Sequence, residues 1–293
     1  MEIRFEAEPA EADFKYVNEQ SAASLVAKYG DAVREPLGAF IYGERIPDSE
    51  DHLILGGVEG QVSGSWLYID TLWLDESLRG KGYGVRLMNV IEQAAAQRGV
   101  QKAFLGTATF QAPTFYKQLG YQVVGEMPMA TTAYHQFLMA RHPLTPYDVP
   151  PEMEIQLAAP PSEGDLDRLG GHLRDYNNQY IALNQSLLGV AFLRDESEKI
   201  LGGVTGFRVF ENALFMGTLW IEESVSGQGY ESKLISAYEH AAVQHGILSV
   251  AVMMADDDLA GCFESVGYEA LGVFPNFPAG RTSRYLIKRK LVS

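Results

Sequence analysis

The sequence predicts an α/β fold built twice, as two tandem domains that each carry a mixed sheet flanked by helices. Three observations predict it. Apolar runs that suit strands alternate with stripes at helical spacing. Landmarks recur at a constant offset of 147 residues, from Gly80, Gly82, Gly120, Tyr121, Gly125 and Pro128 to Gly227, Gly229, Gly267, Tyr268, Gly272 and Pro275. Between the copies lies a stretch, residues 142–151, whose prolines Pro143, Pro146, Pro150 and Pro151 cannot continue a helix or a central strand.

The repeat extends further. Thr71-Leu72-Trp73 matches Thr218-Leu219-Trp220, and Leu55-Gly56-Gly57-Val58 matches Leu201-Gly202-Gly203-Val204 at an offset of 146. A fixed offset over such a span marks tandem duplication of a unit of about 145 residues. The expected domains are residues 1–145 and 152–293.

The elements of the first copy follow in order. Residues 2–6 read as a short strand. Residues 11–29 are helical, with Phe14, Val17, Leu25 and Val26 in a broken apolar stripe. Residues 36–43 and 53–62 are strands. Residues 66–74 are apolar without clean alternation, so a strand buried on both faces is expected. Residues 82–98 form a helix, since Leu87, Val90, Ile91 and Ala94 fall at i, i+3, i+4 and i+7 and Gly99 stops it. Residues 102–107 are a strand, 112–119 a helix closed by Gly120, 121–125 a strand and 134–140 the last strand. The second copy reads the same way over residues 154–291.

Composition narrows the function. No apolar run approaches the ~20 residues that cross a bilayer. Residues 1–6 have neither a basic nor an apolar leader, so no secretory signal is expected. The single cysteine, Cys262, cannot form an internal disulfide, which suits a reducing compartment, and a cytoplasmic protein is expected. A net charge of −15 repels nucleic acid and anionic membranes, so neither is an expected partner. The same field repels a polyanionic ligand, and Arg79, Lys81 and Arg86 cluster where a local correction would be needed.

Residues 79–84, Arg-Gly-Lys-Gly-Tyr-Gly, join the strand at 66–74 to the following helix. Backbone N–H groups at a helix start can hold a phosphate, and glycine lets a ligand approach closely. The plainer reading is a solvated basic turn. Further on stands Phe110-Gln111-Ala112-Pro113-Thr114-Phe115-Tyr116-Lys117-Gln118-Leu119-Gly120-Tyr121.

Together the two segments resemble the acetyl-CoA site of the GNAT family of N-acetyltransferases. That family's Arg/Gln-x-x-Gly-x-Gly/Ala motif is matched by Arg79, Gly82 and Gly84, and its Phe-Tyr pair before Gly-Phe/Tyr by Phe115-Tyr116 and Gly120-Tyr121. The resemblance covers nearly all of the first copy and, more weakly, the second. It implies two tandem GNAT-like domains, each a mixed, mostly antiparallel sheet flanked by helices. It implies acetyl-CoA as cosubstrate, no metal, and direct acetyl transfer to an amine of a small molecule or peptide. By the same resemblance Arg79, Gly80, Lys81, Gly82, Tyr83 and Gly84 hold the pyrophosphate. Leu72, Trp73 and Leu74 offer backbone hydrogen bonds to the pantetheine arm, and Tyr116 protonates the departing thiolate.

An amine must lose a proton to attack. Asp70 is the first candidate base, because its neighbours Leu67, Ile69 and Leu72 are apolar and burial raises a carboxylate pKa. Glu59 is a second and a water chain a third; Asp70 binding a substrate cation is equally open. Trp73 and Trp220 read as core. Asp256, Asp257 and Asp258 read as a helix start rather than a metal site, and the histidines show no metal-ligand spacing. Cys262 stands where the first copy has Phe115 and reads as a small buried apolar residue.

The second copy replaces the informative residues. Arg79 becomes Ser226, Lys81 Gln228, Gly84 Glu231, Tyr116 Phe263 and Asp70 Gly217. A degenerate domain that walls one side of the acceptor site is expected, with the chain a monomeric pseudo-dimer or a homodimer. The alternative reading is a non-catalytic acyl-CoA or metabolite-binding sensor. Acceptor choice is assigned to the loops at residues 45–51 and 127–133, whose preference the residues do not spell out.

Overall fold

The computed structural model describes residues 1–31, 33–47, 52–128, 134–147, 155–181, 187–210, 212–255 and 257–291. The first half contains β1 (Glu2–Glu6), α1 (Glu11–Tyr29), β2 (Glu35–Arg45), β3 (His52–Ser63), β4 (Trp66–Leu74), α2 (Tyr83–Ala96), β5 (Lys102–Ala108), α3 (Pro113–Gln118), β6 (Gln122–Pro128) and β7 (His135–Arg141). The second contains β8 (Gln156–Ala158), α4 (Glu163–Asn177), β9 (Leu187–Arg194), β10 (Ile200–Phe210), β11 (Ala213–Ile221), α5 (Tyr230–Gln244), β12 (Ser249–Met254), α6 (Asp257–Ser265), β13 (Glu269–Pro275) and β14 (Thr282–Arg289). Much of the two acceptor loops, and Asp256, lie outside the described residues. Among the described residues no helix is long and apolar enough to cross a membrane.

The strands form two seven-stranded sheets, ordered β6-β7-β5-β4-β3-β2-β8 and β13-β14-β12-β11-β10-β9-β1. Both are antiparallel except for one parallel pair each, β4 with β5 and β11 with β12. The order is the same in the two, as duplication requires, with one exchange. β1 pairs with β9, Glu2 opposite Arg194, while β8 pairs with β2, Gly38 opposite Ala158. The folded bodies therefore differ from the sequence halves. Residues 2–29 belong with the second sheet and residues 156–177 with the first.

The helices follow their strands across. Leu169 of α4 fills the space over Gly57, where a Cβ would come within 3.1 Å of it. Val17 of α1 fills the equivalent space over Gly203, at 2.8 Å. In the exchange each sheet receives from the other half the edge strand it gives up, five paired residues of β1 on β9 and three of β8 on β2.

Each sheet has its own core. Leu37, Val58, Leu67, Leu87, Ile91 and Met139 are buried in the first, and Leu193, Val204, Leu214, Leu234, Val250 and Leu286 in the second. The halves also share apolar clusters. Trp66 and Phe104 pack on Phe274 and Phe277, and the Trp66 indole donates to the Pro275 carbonyl at 2.8 Å. A buried ion pair recurs at the repeat offset. Glu92 of α2 pairs with Arg141 and accepts from the hydroxyls of Tyr121 at 2.7 Å and Tyr147 at 2.9 Å. In the second half Glu239 pairs with Lys288 at 2.7 Å.

Candidate active site

β4 holds the site open. It pairs with β5 only from Trp66 to Ile69. Against β3 its register runs Glu59 to Thr71 and then Gly60 to Ile69, leaving Asp70 as an extra, bulged residue. A bulge bends and twists its strand and re-aims a side chain. Beyond it β4 leaves β5, and the edge of residues 72–74 that faces away from β3 lies along a gap. Asp70 is exposed, and Tyr68 and residues 72–74 are half-buried, so the strand is not enclosed on both faces as its composition suggested.

Below the gap, residues 79–84 lead into α2. Gly80 has φ +72° and Gly82, the helix cap, φ +83°, a region L side chains rarely adopt. No side chain caps α2, so the N–H groups of its first turn face outward. Gly84 serves a different need: a Cβ there would lie 3.1 Å from the Phe115 ring. Arg79 Nε donates to the Leu74 carbonyl at 3.0 Å, and its guanidinium lies 5.2 Å over the Tyr176 ring.

A cavity of about 470 Å³ fills this space. Asp70, Leu72, Trp73, Leu74, Arg79, Gly80, Gly82, Tyr83, Gly84 and Tyr116 all line it, together with Gly106, Thr107, Gln111 and Phe115. Lys81 and Arg86 do not. Tyr116 is 8% exposed, and burial pushes its phenol pKa well above the ordinary value, so it stays protonated through the physiological range.

One wall comes from α4, in the other sequence half. Leu173 and Tyr176 line the cavity. The Tyr176 hydroxyl donates to the Phe110 carbonyl at 3.1 Å, and Asn177 accepts from Gln111 at 2.9 Å. His172 stacks on Trp73 with ring centres 4.1 Å apart, and Trp73, half-buried, packs at the edge of the cluster of Phe40, Ile54 and Leu169, where α4 meets the first sheet. Trp220 is buried beside Tyr16 of α1, as expected of a core residue. Sequence reasoning missed the α4 residues; the available signal was His172 and Tyr176 one helical turn apart, an aromatic face that solvent would not favour.

Two carboxylates serve the cavity, Asp70 in its lining and Glu59 behind it. Glu59 is half-buried on β3 and accepts from Thr71 Oγ1 at 2.9 Å. Its pKa is raised to about 7, first by burial and then by the charge of Asp70. Asp70 in turn accepts from the Tyr68 hydroxyl at 3.0 Å. The burial that composition assigned to Asp70 falls on Glu59, because the bulge turns Asp70 outward. Among the described residues no group of three or more His, Cys, Asp or Glu is placed to hold a metal ion.

The second copy keeps the loop and fills it. Gly227 and Gly229 have φ +73° and +80°. Glu231 is 5% exposed, and its Oε1 accepts from the Gly227 N–H at 2.9 Å and from Ser226 Oγ at 3.0 Å. Space for Glu231 exists because Cys262, only partly buried against the core, stands where Phe115 crowds Gly84. Phe263 is fully buried in the place of Tyr116. Thr205 and Gly217 stand where the first copy has Glu59 and Asp70.

The Acetyltransferase (GNAT) family model matches the chain twice, at residues 2–121 and 155–268. A protein from Streptomyces morookaense named blasticidin-S acetyltransferase is 33% identical over 113 residues, 38% of this chain and 82% of that protein. An acetyltransferase of Agrobacterium fabrum is 27% identical over 118 residues, 40% of this chain and 81% of its own length. The crystal structure of an acetyltransferase from Bacillus cereus aligns over 47% of this chain and 97% of that one, at 27% identity and a TM-score of 0.40.

Proposed function

The chain belongs to the GNAT family of acetyltransferases, and on that premise we propose that its first sheet transfers acetyl directly from acetyl-CoA to an amine. The observation that carries this reading is the single cavity that joins the α2 N-terminus, the open edge of β4 and the Tyr116 side chain. Each matches one part of the cosubstrate. The outward N–H groups of α2, with Arg79, Gly80, Gly82, Tyr83 and Gly84, suit a pyrophosphate. The edge of Leu72, Trp73 and Leu74 suits an amide-bearing arm. Lys81, outside the cavity, adds charge near the loop but no contact with the ligand.

In this reading the amine nitrogen attacks the thioester carbonyl and a C–N bond forms. The Leu74 N–H supports the tetrahedral oxyanion. The C–S bond breaks, and Tyr116 gives its proton to the thiolate. The proton lost by the amine passes to the Asp70–Glu59 pair. Asp70 lines the cavity and meets the amine, while Glu59, poised near neutrality, holds the proton. The second sheet takes no part in the chemistry. Glu231 already satisfies its loop, and Phe263 has no proton to give.

Thiol release from acetyl-CoA against a panel of amines tests the reading. The similarity to a protein named for acetylating blasticidin S puts that compound on the panel. Turnover of at least one amine is expected. Retained acetyl-CoA affinity with no turnover on any would favour the sensor.

A further inference from the structure

A second cavity, of about 450 Å³, lies between the two sheets, within the ~300–1,000 Å³ range of small-molecule sites. Tyr68, Phe104 and Phe137 line it from the first half, and Phe215, Met253 and Tyr285 from the second. It meets the catalytic cavity at Gly106, which lines both. Gly106 puts no side chain between the two cavities, and a Cβ there would meet Gln136 Nε2 at 2.9 Å. Tyr68 spans the same junction: it lines the inter-sheet cavity, and its hydroxyl holds Asp70 at 3.0 Å.

We infer that this inter-sheet cavity is the acceptor site, and that the acceptor is a primary amine carried on an aromatic body. The inference rests on acetyl transfer in the adjoining cavity. The amine end reaches over Gly106 to Asp70, and the body stays between the sheets. The walls favour a flat apolar group, because aromatic rings stack on one another and release water. They disfavour a polycation. Among the described lining residues there is no carboxylate, and the one charged side chain is Arg34 at the exposed rim. A second ammonium group would be desolvated there without a partner. The tyrosines stay neutral, since burial pushes Tyr285 up to about 12 and Tyr68 well above its ordinary value. The second copy thus has a concrete task. Phe215 stands at the repeat position of Tyr68, keeping the ring and losing the hydroxyl.

The test uses the full chain with 2-phenylethylamine and spermidine as probes. Calorimetry on the CoA-saturated protein measures binding, and thiol release measures transfer. The expected result is a kcat/KM for 2-phenylethylamine at least ~10-fold above that for spermidine. Phe215→Ala is expected to raise the KM for 2-phenylethylamine ~10-fold and leave the KM for acetyl-CoA unchanged. Phe215→Leu, which keeps most of the volume and removes the ring, guards against a variant that fails to fold. A preference for spermidine, or a 2-phenylethylamine KM that neither variant moves, would overturn the assignment. Binding of 2-phenylethylamine without thiol release would support the cavity while sinking the transfer reading. Thiol release confined to spermidine would do the reverse.

Discussion

The Glu231 carboxylate lies 2.9 Å from the Gly227 backbone N–H and occupies the loop that its first-copy counterpart leaves open with Gly84. A side chain that accepts an outward N–H at a helix start does what a phosphate oxygen would do. Calorimetric titration of the full chain with acetyl-CoA should therefore give one site per chain. Two sites of similar affinity would show that the plug yields.

The pH profile should report Glu59. Glu59 is protonated below about 7 and charged above it, so kcat/KM should rise with pH through about 7 and then level. Glu59→Gln should remove that limb and slow transfer by ~10²-fold. The same raised pKa means that the folded chain holds this proton more tightly than the unfolded chain. Stability should fall as pH rises from the ordinary carboxylate range toward 7, and the Gln variant should lose that slope in urea unfolding.

Tyr176 should matter to cosubstrate binding although it lies in the other sequence half. It supports the Arg79 guanidinium at 5.2 Å. A cation–π contact at a partly exposed site is worth ~0.5–1 kcal/mol. Tyr176→Ala should weaken acetyl-CoA several-fold with little change in the rate of the chemical step. Equal affinity in the variant would remove α4 from the binding site.

The buried Glu92–Arg141 pair should dominate the stability of the first body. Both side chains are nearly inaccessible, and Tyr121 and Tyr147 also lean on the carboxylate. Removing one partner leaves an uncompensated charge, at ~3–5 kcal/mol. Glu92→Leu should lower the urea midpoint accordingly, and adding Arg141→Met should recover part of the loss.

Much of this molecule was legible in its residues. The repeat offset gave both sheets the same strand order, and the Arg79–Gly84 turn with Tyr116 lines one cavity. The strand exchange was not legible, because β1 and β8 are both short edge strands and nothing in a short strand names the sheet it joins. Asp70 misled for a similar reason. Its neighbours are apolar, but the bulge turns it to solvent, and a single extra residue leaves no mark in composition. Gly84 read as a place for ligand approach and proves to be packed under Phe115. The inter-sheet cavity depends on faces contributed by both halves, which no local pattern announces.

The most direct test of the account is the single-turnover rate of acetyl transfer in Tyr116→Phe, at saturating acetyl-CoA and with the best amine of the panel. Tyr116 is a buried hydroxyl in the first copy, and the second copy replaces it with Phe263. A rate at least ~10²-fold below wild type, with acetyl-CoA affinity retained, is the expected result. An unchanged rate would contradict the assignment of the chemistry to this cavity and this residue.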